Sequence, residues 1–259
     1  MAEATTLDYG DRGRVVVLAD GEALAVAAAD TVIQVTAMAE ERGRRALVAL
    51  SGGSTPKRMG QILASDGVSS RVRWDHLEIF WGDERWVPLG SPESNAGEAM
   101  RGFLDASPIP AERIHPFVTT GDPVASASRM SDTLQAAMRE NGTSAFDLVL
   151  LGMGDDGHTA SLFPGTTAMH EEDRLVLSHW VPKLDTTRLT FTPPLINAAA
   201  KVVFLVGGAG KAAMLHQVLD GPVDIDLSPS QVVRPASGDL SWLIDAAAAA
   251  QLEKTVSHG

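Results

Sequence analysis

Short, mostly apolar runs that each end at a polar or glycine-rich loop constrain the fold of this chain more than any other feature. They are Ala46–Leu50, His76–Gly82, Phe146–Leu151 and Lys201–Val206. Runs of this length and composition are typical of buried strands. Because helix-like segments separate them, the sequence predicts an α/β fold with a mostly parallel sheet and helices on both faces.

The rest of the chain continues this alternation of strands and helices. We predict further strands at Arg14–Ala19 and Leu175–Val181, and further helices at Gly21–Arg42, Ser94–Leu104, Val124–Glu140 and Leu240–Leu252. A chain of 259 residues can form one large domain or two small ones. No internal repeat or linker interrupts this one, so we expect a single domain over residues 1–259.

The charge balance excludes several classes of partner. Asp and Glu number 33 against 21 Lys and Arg, which gives a net charge of −12. Such a chain repels polyanions, so we expect neither nucleic acid nor an acidic membrane surface as a partner. A small anionic ligand would require the few cations to be concentrated in one pocket. The sequence has no Cys, no apolar leader and no apolar run of membrane-spanning length, so we expect a cytoplasmic protein.

The loops that follow the strands carry the candidate chemistry. In open α/β sheets, ligands bind beyond the carboxyl ends of the parallel strands, which meet at one edge. We therefore expect residues 51–55, 83–85, 152–158 and 207–211 to converge on one site.

Two of these loops are suited to binding an anion. Gly52, Gly53, Ser54 and Thr55 form a turn before a helix, where backbone N–H groups and hydroxyls could hold a phosphate; a plain capped turn is the alternative. Lys211 begins a helix, where the positive end of the helix dipole disfavours a cation unless an anion is bound. A solvated lysine is the alternative there.

The segment Asp156–Gly157–His158 is the strongest catalytic candidate. A histidine beside a carboxylate, just beyond a buried strand, is suited to act as a general base. His158 could instead cap the next helix or fill a polar corner. Asp83 and Arg85 place a carboxylate and a cation at another strand end, where a surface ion pair is the alternative. No spacing of His, Asp or Glu suggests a metal site, and we predict none.

Other motifs match known patterns poorly. Ser51 lies in a loose relative of a nucleophile elbow, but a Gly-Gly pair and Pro56 delay the helix that should begin at the serine. Residues 152–157 match the glycine spacing of dinucleotide sites, yet two aspartates would face the pyrophosphate. Residues 207–211 resemble a phosphate loop, but Ala212 stands where a Walker A motif has its hydroxyl.

Five segments together resemble one known family. They are LSGGSTPKRM (50–59), FWGDERWVPLGSPESN (80–95), FDLVLLGMGDDGHTASLFPG (146–165), RLTFTPPLINAA (188–199) and FLVGGAGKAAML (204–215). In this order they are similar to the 6-phosphogluconolactonase family of the glucosamine-6-phosphate isomerase/ribose-5-phosphate isomerase-like superfamily. The resemblance implies hydrolysis of 6-phospho-D-glucono-1,5-lactone to 6-phosphogluconate in the oxidative pentose phosphate pathway. It also implies a Rossmann-like parallel sheet with a smaller appended α/β part, and no organic cofactor.

The family pattern implies roles for particular residues of this chain. It makes His158 the base that activates water, with Asp156 as its neighbour in the site. The residues it implies for substrate and phosphate binding are Gly52, Gly53, Ser54, Thr55, Asp83, Arg85, Arg188 and Lys211. The implied partner is a small sugar phosphate, bound by a monomer or a small homo-oligomer.

Three alternative functions are open at this point. A glucosamine-6-phosphate deaminase of the same superfamily would have Glu where this chain has Phe163, and Tyr where it has Arg85. A non-catalytic sugar-phosphate sensor would have no need of a poised histidine beside Asp156. A serine hydrolase would use Ser51 as its nucleophile.

Overall fold

The structure, a computed structural model, describes residues 4–254 and contains two β-sheets. The strands are β1 (Thr5–Asp8), β2 (Arg14–Leu18), β3 (Ala46–Leu50), β4 (Leu77–Trp81), β5 (Asp83–Arg85), β6 (Leu148–Leu151), β7 (Val176–Val181), β8 (Thr186–Phe191), β9 (Lys201–Val206) and β10 (Asp239–Asp245). The α-helices are α1 (Gly21–Glu41), α2 (Ser54–Leu63), α3 (Asn95–Ala99), α4 (Pro123–Glu140), α5 (Pro193–Asn197) and α6 (Ala212–Leu219).

The larger sheet has seven strands in the order β1-β2-β10-β9-β6-β3-β4. All of its pairs are parallel except the edge pair of β1 with β2. Every residue of β3 and β6 is buried, and successive side chains of a strand point to opposite faces. Both faces at the centre of the sheet are therefore covered, and the predicted α/β class with a mostly parallel sheet is confirmed.

The smaller sheet is antiparallel, with the order β5-β8-β7, and α4 packs on β7. It corresponds to the smaller appended part that the family resemblance implied. Val176, Leu189 and Phe191 from this sheet belong to the same buried cluster as the parallel strands. The single domain over residues 1–259 stays a prediction, and residues 1–3 and 255–259 lie outside the described residues.

Helices α1, α3 and α4 begin at residues whose side chains cap them. Asp20 Oδ1 accepts a hydrogen bond from the Ala23 N–H at 2.9 Å at the start of α1. At the start of α3, Ser94 Oγ accepts one from the Gly97 N–H at 3.0 Å. These side chains satisfy backbone donors that have no partner within the first turn. The hydrogen bond at Ser94 confirms the predicted cap. Beyond α3 the chain continues as a π-helical turn at Met100–Leu104, which confirms the predicted helical segment to Leu104.

Helix α1 is long and apolar enough to cross a membrane by length and composition alone. In this structure, however, it belongs to the core. Its residues Leu24, Ala28 and Val32 are buried, and it packs against α2 and β10. A core helix of a globular protein has this composition as well.

The predicted helix at Leu240–Leu252 is wrong. Residues 239–245 form β10, which lies between β2 and β9 inside the larger sheet. The ring of Trp242 stacks on Phe204 of β9, with ring centroids 3.8 Å apart. The alanine run that suggested a helix forms only a 3-10 turn at Ala248–Gln251. Burial of Trp242 and its neighbours within the sheet outweighs the helical propensity of the following alanines.

Candidate active site

A cavity of about 450 Å³ opens at the carboxyl ends of the parallel strands. All four predicted loops contribute to its wall. The predicted site residues that line it are Gly52, Gly53, Asp83, Arg85, Asp156, His158, Arg188 and Lys211. Ser54 and Thr55 do not line it, because the chain enters α2 at Ser54, immediately after the cap residue Gly53.

The imidazole of His158 is held by the carboxylate of Asp156. His158 Nδ1 lies 2.5 Å from Asp156 Oδ1, and the ring of Phe163 stacks on the imidazole with centroids 4.2 Å apart. A carboxylate at Nδ1 favours the tautomer with the proton on that nitrogen, which leaves a lone pair on Nε2. Held in this way at the cavity wall, His158 is suited to general-base chemistry.

Gly154 is required by the position of the imidazole. A Cβ atom at this residue would lie 2.0 Å from His158 Nδ1 and 2.8 Å from Asp156 Oδ1. The Gly154 N–H also donates a hydrogen bond to the His158 carbonyl at 2.8 Å, which closes the loop on itself. The glycine pattern at 152–157 therefore serves the packing of His158, and not the approach of a pyrophosphate.

Asp156 has a second partner that no sequence motif indicates. Lys183 Nζ donates to Asp156 Oδ2 at 2.5 Å, from a 3-10 turn at Pro182–Leu184 that links β7 and β8. Burial alone would raise the pKa of Asp156. The hydrogen bonds from Lys183 and His158 outweigh burial and hold the pKa of this carboxyl well below its usual range.

Arg85 and Arg188 face each other across neighbouring strands of the smaller sheet. They are directly opposite in the register of β5 with β8. Neither forms an ion pair with a carboxylate in residues 4–254: Arg85 Nη1 donates to the Glu93 carbonyl at 2.5 Å, and Arg188 Nε is buried without a partner. Burial and the nearby Arg85 charge lower the pKa of Arg188. Like charges in such positions repel, and a bound anion would remove that cost.

Asp83 lies on the wall of the cavity and is 8% exposed. Its Oδ2 accepts a hydrogen bond from Ser161 Oγ at 2.6 Å, and its carbonyl accepts one from Asn95 Nδ2 at 3.1 Å. Asn95 in turn lies against Gly52, where a Cβ atom would be 2.0 Å from Asn95 Oδ1. The alternative of a surface ion pair between Asp83 and Arg85 is therefore wrong.

Glu84, between these two residues, has a structural role. Its carboxylate accepts hydrogen bonds from the N–H groups of Asn95 at 2.8 Å and Ala96 at 2.9 Å, and from Ser94 Oγ at 2.9 Å. Burial raises the pKa of Glu84, and these hydrogen bonds offset part of that rise. The carboxylate thus fixes the start of α3 and with it the position of Asn95.

Two further candidates have partners or environments that limit their roles. Lys211 Nζ forms an ion pair with Asp155, so a carboxylate of the chain already partners this lysine. Ser51 Oγ is buried and has no hydrogen-bond partner in the part of the chain that the structure describes. A nucleophilic serine needs a base within hydrogen-bond distance, and Ser51 has none here.

Clusters of potential metal ligands are a separate question. Across residues 4–254, no group of three or more His, Asp or Glu side chains could hold a metal ion.

Fold and cavity together define an α/β enzyme with a cationic cavity beyond the carboxyl ends of its strands and a carboxylate-bound histidine in its wall. The family model described as glucosamine-6-phosphate isomerases/6-phosphogluconolactonase matches residues 19–242. The chain belongs to this family.

Similar proteins span almost the whole chain. A 6-phosphogluconolactonase of Nostoc sp. is 42% identical over 239 residues, which are 91% of this chain and 97% of that protein. A 6-phosphogluconolactonase of Streptomyces coelicolor is 34% identical, with 95% of this chain and 97% of that protein covered. The structure of 6-phosphogluconolactonase from Trypanosoma brucei has a TM-score of 0.78 at 27% identity, covering 92% of this chain and 98% of that one.

Proposed function

We propose that this chain hydrolyses 6-phospho-D-glucono-1,5-lactone to 6-phosphogluconate, a step of the oxidative pentose phosphate pathway. The observation that carries the proposal is the pairing of His158 with Asp156 in the wall of a cavity that also holds two arginines without carboxylate partners. The names of the relatives from Nostoc and Streptomyces support the same reaction.

We assign the substrate's phosphate to Arg85 and Arg188. Two guanidinium groups on adjacent strands match the several oxygen acceptors of a phosphate. Backbone N–H groups of Gly52 and Gly53, which line the same cavity, are further candidate donors. Asp83 repels a phosphate, so we assign its carboxylate to the sugar hydroxyls, which are hydrogen-bond donors.

With the phosphate anchored, the lactone carbonyl carbon C1 faces His158. His158 Nε2 accepts a proton from water as the water oxygen bonds to C1, and the carbonyl electrons move onto its oxygen. Backbone N–H groups or a cavity cation stabilise this oxyanion. When the C1–ring oxygen bond breaks, the imidazolium returns its proton to the ring oxygen. The lactone is an activated ester, so one base in a fixed position suffices.

The deaminase alternative lacks support in the cavity. Phe163 stands where that reaction would use a Glu, and its ring stacks on His158. An aromatic ring transfers no proton.

We propose that the chain acts in the cytoplasm on a free sugar phosphate, as a single domain and as a monomer or small homo-oligomer. The net charge of −12 and the absence of Cys fit this setting.

A coupled assay tests the function directly. Glucose-6-phosphate dehydrogenase generates the lactone, and formation of 6-phosphogluconate is followed with and without the purified protein. We expect acceleration well above the spontaneous rate. Binding of 6-phosphogluconate without any acceleration would overturn the proposal in favour of a sensor.

A further inference from the structure

The carboxylate of Asp156 joins two parts of the molecule. One of its oxygens contacts His158 Nδ1 at 2.5 Å, and the other accepts from Lys183 Nζ at 2.5 Å. Asp156 and His158 lie on the loop after β6 of the parallel sheet, whereas Lys183 lies on the turn between β7 and β8 of the smaller sheet. The contact between Lys183 and Asp156 spans 27 residues of sequence.

This arrangement has a chemical consequence for the imidazole. A carboxylate with His158 as its only partner would stabilise the protonated imidazole strongly. A second cation on the same carboxylate opposes that stabilisation, because the imidazolium and the ammonium repel each other across Asp156. Removal of Lys183 would therefore leave an imidazolium at His158 facing a carboxylate that no second cation contacts.

Lys183 also restricts the geometry of the pair. The Asp156 side chain is fixed at both oxygens, so it cannot rotate away from His158 without losing the bond to Lys183. The turn that carries Lys183 is itself constrained: Pro182 begins it, and Asp185 after it adopts a left-handed conformation with φ of 50°.

We propose that Lys183 is a positioning residue for the hydrolysis, which keeps Asp156 in the orientation that makes His158 a free base. The inference rests on the proposed function and adds a residue to it. The other charged groups that line the cavity around the imidazole are Asp83, Arg85, Asp155, Arg188 and Lys211. Lys211 is already paired with Asp155. Of the cations that line the cavity, Lys183 is therefore the one that contacts the carboxylate of Asp156, which holds His158.

The first test compares Lys183→Met, Lys183→Arg and the control Lys201→Met. Lys201 also forms an ion pair, with Asp239 at 3.0 Å, at the opposite edge of the sheet. Lys183→Met should lower kcat about tenfold at neutral pH while KM stays within about twofold. The acid limb of the kcat profile should change in Lys183→Met, because the ammonium that faces the imidazole across Asp156 is gone. Lys183→Arg should restore most of both, and Lys201→Met should leave them unchanged.

Two results would overturn the inference in this test. A raised KM with unchanged kcat and an unchanged pH profile would make Lys183 a substrate-binding residue. A loss of kcat that is equal at every pH would reduce it to a structural role.

A double variant tests whether the effect passes through Asp156. In an Asp156→Asn background, adding Lys183→Met should change kcat by less than about twofold, because the carboxylate on which it acts is gone. Effects that multiply would contradict the inference.

A measurement without substrate separates this inference from the proposed function. The imidazole titration of His158 is followed by NMR in the unmodified chain and in Lys183→Met, with His158→Gln to assign the signal. We expect the midpoint to move to higher pH in Lys183→Met, whether or not the chain hydrolyses the lactone. Coincident titration curves in an active enzyme would overturn the role of Lys183 and leave the function standing.

Discussion

The two edges of the parallel sheet both carry clustered charges, but they differ in how those charges are satisfied. At the amino ends of β3, β4 and β6 lies an amino-edge cluster, which we define as Arg44, Arg45, Glu78, His115, Asn141 and Asp147. Glu78 accepts hydrogen bonds from Arg45 Nε at 2.7 Å and Asn141 Nδ2 at 3.2 Å, and it contacts His115 Nε2 at 2.9 Å. Arg44 is paired with Asp147 through both of its terminal nitrogens.

At the carboxyl edge, in contrast, Arg85 and Arg188 have no carboxylate partner among the described residues. In a cluster that satisfies its own charges, loss of one partner leaves another charge unpaired, and the intact cluster has no need of a ligand. A cluster that leaves cations facing a cavity is stabilised when an anion binds. Charge alone therefore does not mark a site, whereas unsatisfied charge beside a cavity does.

The largest expected effect is at His158. His158→Ala should lower kcat about 10²–10⁴-fold, because the general base is lost, and should raise KM far less. Steady-state kinetics in the coupled assay measure both constants. An unchanged kcat would remove His158 from the mechanism and with it the main contrast between the two edges.

A change in the amino-edge cluster should reduce stability and leave catalysis unchanged, which is the reverse of the effect expected at His158. Glu78→Ala should lower the free energy of unfolding by about 3 kcal/mol, since it removes a buried carboxylate from three partners, while kcat at a permissive temperature stays unchanged. Denaturant unfolding measures the loss. Glu140→Ala is the matched control: it removes the exposed partner of Arg45 and should cost less than about 1 kcal/mol. A catalytic defect in folded Glu78→Ala would contradict the division of roles.

Lowering the pH should reduce the contribution of the amino-edge cluster to the free energy of unfolding. Burial raises the pKa of Glu78, but hydrogen bonds from His115 and Arg45 outweigh burial and lower it to about 2. A depressed pKa means that the stabilisation is fully present above the ordinary pKa of Glu and is lost as the pH falls from there through 2. We expect up to about 3 kcal/mol of unfolding free energy to disappear over that range. Urea unfolding of the original chain and of Glu78→Gln should converge at the acid end; parallel curves would contradict the assignment.

Loss of one cavity arginine should affect binding and leave the fold intact. Arg188→Met should raise KM for the phosphorylated lactone about 10–100-fold, because a desolvated contact to the phosphate is lost. The rate with unphosphorylated gluconolactone should stay nearly the same. Thermal stability should be unchanged or slightly higher, since the repulsion with Arg85 disappears. Equal losses on both lactones would place the phosphate elsewhere.

The smallest expected effect is at Ser51. Ser51→Ala should leave kcat within about twofold, because Ser51 Oγ has no partner that could activate it. A large loss in the coupled assay would revive the serine-hydrolase alternative.

The sequence predicted the parallel sheet and the loops at its carboxyl edge because both depend on local patterns. Buried runs such as residues 46–50 and the glycine-rich segment 152–158 identify themselves by composition. The sequence misled at β10 and gave no sign of Lys183, and each case has a physical cause. The alanines after residue 245 favour a helix locally, but β10 is fixed by pairing with β2 and β9, which are distant in sequence. Lys183 follows no motif, and its contact with Asp156 exists only once the two sheets are packed together.

The residues at the start of α2 show a second limit of prediction from sequence. The sequence placed Ser54 and Thr55 in the site with the two glycines before them. Of these four residues, only Gly52 and Gly53 line the cavity, since α2 already begins at Ser54. A helix boundary that differs by one or two residues decides which hydroxyls face a ligand, and composition does not fix boundaries that finely.

The position of β10 has a consequence for how the chain is made. This strand is late in the sequence, yet it is the neighbour through which the pair β1 and β2 joins the rest of the larger sheet. A ribosome delivers β1 and β2 long before β10, so the first two strands must wait unpaired with the sheet while some two hundred further residues emerge. During translation the side of β2 that later pairs with β10 therefore stays open to wrong strand partners until β10 emerges.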